Sequence, residues 1–176
     1  MEMDERRAFL KDEYLFLQNQ YEDFDRRSLT IKGWLSTGAI AAIALSFNSS
    51  YKDVYVVPIL VASIAAVFWY LEAYWKLFQY ALADRIRVIE AYFRSDTDVL
   101  VKNPEPFQVY EWWFRSYSKN EPIYENEKPH RPKDHGTRLR KVLLARFVFL
   151  PYAVIIALSV LSFAILLLHH GGPNCS

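Results

Sequence analysis

Three apolar stretches alternate with strongly charged ones along this chain: Ile31 to Phe47, Val54 to about Trp75, and Phe147 to Leu168. A hydrocarbon layer of ~30 Å takes roughly 20 apolar residues in a helix. The second and third stretches reach that length, and the first is about three residues short. The third carries no Asp, Glu, Lys or Arg over its whole course, which argues against a buried core helix in a chain this small. Upstream, Leu10, Tyr14, Leu17, Tyr21 and Phe24 are spaced 4, 3, 4, 3, the seam of a helix of about 22 residues whose other face carries Lys11, Asp12, Glu13, Glu22 and Asp23. Downstream of the second stretch, Phe78, Leu82, Ile86, Ile89 and Phe93 repeat at 4, 4, 3, 4 with no Pro or Gly before them, so that helix is expected to continue to about Arg94. The pattern predicts an all-α, polytopic membrane protein with three transmembrane helices and helical extensions on one side. Its segments are 1–30 (amphipathic helix), 31–94 (hairpin with an extended second helix), 95–141, and 142–176 (third span and short tail).

Residues 95–141 differ in character. They hold Pro104, Pro106, Pro122, Pro129 and Pro132 beside many charges, yet also Phe107, Tyr110, Trp112, Trp113, Phe114, Tyr117 and Tyr124. Disordered segments are poor in aromatic residues, so part of this one is expected to be ordered. Phe107 to Lys119 reads as a short helix that lies on the membrane surface or caps the bundle of the other two charged helices.

Charge adds an orientation. Arg26, Arg27 and Lys32 sit at the first span, Arg85, Arg87 and Arg94 follow the second, and Arg138, Arg140, Lys141 and Arg146 precede the third. The turn from Asn48 to Asp53 has only Lys52, and the tail after the third span has no Lys or Arg. The positive-inside rule then puts the N-terminus and middle segment in the cytoplasm and the C-terminus outside. Trp34, Trp69, Tyr70, Tyr74 and Trp75 mark the same cytoplasmic level. The charged N-terminus is no cleaved signal peptide. The net charge of +1 over 176 residues gives no reason to expect duplex nucleic acid as a partner, and the single Cys175 excludes an internal disulfide.

Candidate sites are few. Gly38, Ala42 and Ser46 form a row of small residues on the first span, the device by which helices approach closely in lipid; Ala62 with Ala66 and Ala153 with Ala157 are weaker versions. The seams Leu10, Tyr14, Leu17, Tyr21 and Ile86, Ile89 must pack against each other or between subunits. Glu72 and Lys76, four apart with the acid first, suit a helical ion pair, read either as a gating site or as an interfacial pair at the membrane edge. Trp112, Trp113 and Arg115 suit either membrane-surface packing or a stacking site for a nucleotide or single-stranded nucleic acid. Arg131 belongs to a basic cluster, from Lys128 to Lys141, that reads first as an anionic-lipid contact and second as a phosphate site. His130 and His135 are too few for a metal site. There is no Gly-rich phosphate loop, nucleophile elbow or dinucleotide fingerprint, so no cofactor is expected and catalysis ranks below a binding or channel role.

The order of parts is a charged helix, two spans joined by the short turn Asn48 to Asp53, and a long helix running on from the second span. Over residues 5 to 94 it resembles the SLATT-type membrane effectors of bacterial anti-phage systems; the third span is an addition to that pattern. The resemblance implies a homo-oligomer in the bacterial inner membrane that permeabilises the bilayer when a cytoplasmic protein or nucleotide signal triggers it. The other expectation is a membrane anchor that recruits a soluble partner through residues 95–137.

Overall fold

The structure, a computed structural model, describes residues 3–47, 54–98, 100–119 and 135–170. All regular elements among them are helical: α1 (Met3–Phe47), α2 (Val56–Arg94), α3 (Val109–Phe114) running into one π-helical turn (Arg115–Lys119), α4 (His135–Leu143) and α5 (Arg146–His170). The expected amphipathic helix and first span are one element, α1. Between Arg27 and Lys32 no Pro or Gly interrupts the intrahelical hydrogen bonds, so the pattern changes from amphipathic to apolar without a break. Pro58 lies in the first turn of α2, where its missing N–H costs nothing. Three helices, α1, α2 and Arg146–Leu168 of α5, are long and apolar enough to cross a membrane.

α2 ends in a Schellman motif. The Asp96 N–H donates to the Ala91 carbonyl at 3.0 Å and the Ser95 N–H to that of Tyr92 at 3.2 Å. The motif requires a left-handed residue, and Ser95 supplies it at φ 59°. A side chain there costs about 1 kcal/mol that glycine does not. S95G is therefore expected to stabilise the protein by about 1 kcal/mol in a denaturant titration of the detergent-solubilised chain.

The chain divides into two compact units. The first comprises Met1–Arg27 with Tyr74–Val142. Here α1 and α2 run antiparallel, and their seams meet within the one chain: Leu10, Leu17, Ile86 and Ile89 are buried together, with Tyr14, Tyr21 and Leu82 packed on them. Tyr14 donates to Glu90 at 3.2 Å; burial, and then the Glu90 carboxylate, push its hydroxyl above the usual range. α3 joins this unit through Trp112, which packs on Val88 and Ala91.

The second unit comprises Ser28–Ala73 with Leu143–Ser176. Its core is Ala39, Val61, Ala65, Tyr152 and Ile155, flanked by Leu35, Ile43, Phe68 and Trp69. Around it Ile40, Leu45, Leu60, Ile64, Val67, Leu150, Leu158, Leu161 and Leu168 point outward, exposed. That much apolar surface marks an interaction with lipid or protein rather than with water. The buried hydroxyls of Ser159 and Ser162 turn back on their own helix, donating to the carbonyls of Ile155 and Leu158 at 2.9 and 2.7 Å.

Candidate functional site

Two polar clusters stand inside these apolar units, and each is built by residues from different helices. In the second unit the centre is Glu72 of α2, its side chain 5% exposed. Lys32 of α1 meets it with Nζ 2.7 Å from Oε1, and Ser28 donates to the same oxygen at 2.8 Å. The Tyr152 hydroxyl faces the same carboxylate, whose Oε2 is buried. Lys32 Nζ also donates to the backbone carbonyl of Phe147 at 2.9 Å and lies 6.0 Å from the centre of the Tyr152 ring. Phe147 stands four residues before Pro151, which lies inside α5 near its start. Since Pro151 has no N–H, the carbonyl of Phe147 lacks its helical donor, and Lys32 supplies one. One turn away the Trp69 indole donates to the carbonyl of Leu143 at 3.0 Å, and its ring meets Phe149 edge-on at 5.5 Å. Apolar contact alone does not hold helices together in lipid, whereas such hydrogen bonds do.

In the first unit Arg85 is wholly buried, 0% exposed. It makes a two-pronged contact with Glu13, Nε to Oε1 at 2.7 Å and Nη2 to Oε2 at 3.0 Å. Nη2 also donates to the Glu105 carbonyl at 2.7 Å, and Glu13 Oε2 accepts the Phe107 N–H at 3.0 Å. The pair thereby pins the segment before α3 to α1 and α2. It holds Phe107 in the left-handed conformation, φ 63°, with the residue 75% exposed. Further along the same antiparallel seam, Gln79 donates to the Tyr21 carbonyl at 2.8 Å and Lys76 pairs with Asp25 and with Gln79. Ser116 bonds Asp84, and Arg138 donates to the carbonyls of Ser116 and Tyr117 at the π-helical turn.

The sequence-selected residues now find their places. Leu10, Tyr14, Leu17, Tyr21, Ile86 and Ile89 meet in one seam inside the chain. Glu72 and Lys76 are drawn to different partners on α1, Lys32 and Ser28 for the acid, Asp25 for the base, so the expected i,i+4 pair is replaced by cross-helix pairs. The reason is burial: a lone pair on one helix face would leave both charges short of hydrogen bonds. Trp112 is a core residue, with the guanidinium carbons of Arg85 and Arg115 at 5.9 and 5.0 Å from its ring centre. Trp113 lies parallel to Phe78 and Tyr117, at 5.5 and 5.0 Å. Trp112 and Trp113 thus pack against side chains of this chain, and Arg115 lies over the Trp112 ring. Arg131, His130 and the turn Asn48 to Asp53 lie outside the described residues. Among those described, no group of His, Cys, Asp and Glu could hold a metal ion.

The small-residue row divides. Ala42 packs on the core, and Ser46 is buried with its hydroxyl on the Ile43 carbonyl at 2.6 Å. Gly38 faces outward: a Cβ there would meet nothing within 4 Å. It lines an apolar groove of about 460 Å³ with Trp34, Leu35, Ala39, Val61 and Phe68. The expected close helix approach at Gly38 is therefore not made among the described residues. Sequence reasoning missed Ser28, Lys32, Pro151 and Tyr152 as a group. The signal was present, since a Lys and a Pro inside otherwise apolar stretches each demand a partner.

Comparison with family models, with curated proteins and with solved structures returned no match.

Proposed function

We propose that this chain is an integral membrane protein acting as a homo-oligomeric effector or channel, which perturbs the bilayer when triggered from the cytoplasmic side. The N-terminus and the charged unit face the cytoplasm in this reading, and the C-terminus lies outside. The observation that carries it is the groove at Gly38. The seams of the charged helices are consumed within one chain, whereas the small residue on the first span, where lipid-embedded helices associate, is left open. A pore then forms between protomers. The resemblance to SLATT-type effectors supports a role in anti-phage defence, with a cytoplasmic protein or nucleotide signal as trigger.

The test is the mass of the detergent-solubilised protein by light scattering, followed by dye release from liposomes. A defined oligomer that leaks dye is expected. A monomer that leaves vesicles tight would overturn the reading. It would favour instead a membrane anchor that captures a soluble partner through residues 95–137, for which Phe107, Tyr110 and Phe114 offer exposed rings.

A further inference from the structure

Cations without counter-charges collect at one place in this chain. From His135 to Ser176 there are Arg138, Arg140, Lys141 and Arg146 and no Asp or Glu. α4 sorts the first three. Arg138 and Val142, one turn apart, are buried, and Arg138 donates to the carbonyls of Ser116 and Tyr117 at 3.3 and 3.0 Å. Arg140 and Lys141 are exposed and make no ion pair or hydrogen bond with a described residue. Acids on the helices of the same unit are engaged elsewhere: Glu13 with Arg85, Asp25 with Lys76 and Asp84 with Ser116. The end of α4 also has a definite level. The carbonyl of its last residue, Leu143, accepts from the Trp69 indole at 3.0 Å, and Trp69 belongs to the apolar stretch of α2. Arg140 and Lys141 stand within one turn of Leu143, and α5 opens at Arg146. The two cations therefore sit where an apolar helix meets water, the level at which a bilayer presents phosphate.

We propose that the outward face of α4 binds the headgroup phosphate of anionic phospholipids through Arg140 and Lys141. The inference rests on the reading that α5 enters a bilayer. Two cations within one turn suit a single phosphodiester, and the exposed apolar residues that follow in the chain, Leu144, Phe147 and Leu150, suit acyl chains. Each cation near such a surface is worth about fivefold in affinity. A zwitterionic headgroup offsets its phosphate with its own ammonium, so the attraction distinguishes lipids by net charge. Because Arg138 of the same helix holds the π-helical turn, α4 joins a lipid contact on one face to a protein contact on the other.

The experiment is native mass spectrometry of the full chain released from detergent micelles, counting bound phosphatidylglycerol against phosphatidylcholine, with flotation on vesicles alongside. The parent is expected to prefer phosphatidylglycerol, and R140Q/K141Q to bind it roughly tenfold more weakly with phosphatidylcholine unchanged. The charge-keeping R140K/K141R should retain the preference, and its loss there would overturn a site built on charge. K11Q/K102Q removes two other exposed cations and should retain it too; an equal loss would assign the effect to net charge and overturn the site. At constant ionic strength, inorganic phosphate should displace the lipid no better than chloride does; stronger displacement would make this a site for free phosphate and overturn the lipid assignment. A chain that floats with vesicles yet shows no lipid preference would overturn this inference alone, whereas one that fails to float would overturn the membrane reading with it.

Discussion

Replacing Gly38 by leucine is expected to leave the folded chain intact and to dissolve the proposed oligomer. The two effects separate because the groove at Gly38 is empty of the described residues: the first added carbon meets none of their atoms within 4 Å. A helix-interior glycine also costs roughly 0.5–1 kcal/mol relative to alanine, so a side chain there helps α1 on its own account. Between protomers the sign reverses. In lipid the approach of backbones at small residues supplies the packing energy, and a leucine holds them apart. A loss of about 1.4–2.8 kcal/mol, ten- to hundredfold in Kd, is the expected scale. Light scattering over a dilution series should move toward the monomer, the far-ultraviolet circular dichroism should stay that of a helical protein, and dye release should fall with the oligomer. An unchanged oligomer would exclude this groove as the interface.

How far the sequence leads depends on the range of the interaction. The 4, 3 spacing of Leu10, Tyr14, Leu17 and Tyr21 and of Ile86 and Ile89 is a local signal, and it identified the seam that these residues form. The apolar stretches likewise located the three long helices, since length and hydropathy are properties of contiguous residues. Partner choice is not local. Glu72 has Lys76 one turn away, but its ammonium partner is Lys32 on another helix. Only the antiparallel pairing of α1 with α2 brings those residues together. Trp112 and Trp113 show a second limit: adjacent aromatics on a charged segment look ligand-facing until the packing of Val88, Ala91, Phe78 and Tyr117 against them is known. The Lys32–Phe147 bond lies between these cases. Pro151 announces a carbonyl that loses its helical N–H, and Lys32 announces a donor in an apolar stretch, but matching them needs the third helix in place.

Removing one partner of the Glu13–Arg85 pair is expected to be the most destabilising single change in the charged unit. Arg85 is wholly buried and Glu13 nearly so, and together they make four hydrogen bonds, two between themselves and two to the backbone at Glu105 and Phe107. R85M would leave a carboxylate desolvated without its cation, a cost of about 3–5 kcal/mol. It would also take the donor from the Glu105 carbonyl, while the Phe107 N–H keeps its acceptor on Glu13. The Arg6–Glu105 bridge cannot compensate: at 2.9 Å it is well formed, but Glu105 is half exposed and such pairs contribute at most about 1 kcal/mol. The double variant E13L/R85M removes both charges and should recover much of the loss, since an apolar pair of similar volume leaves no buried charge unpaired. Denaturant melts of the four members of this cycle would measure it. A double variant as unstable as R85M would show that the backbone bonds to Glu105 and Phe107, rather than the buried charge, hold the unit together.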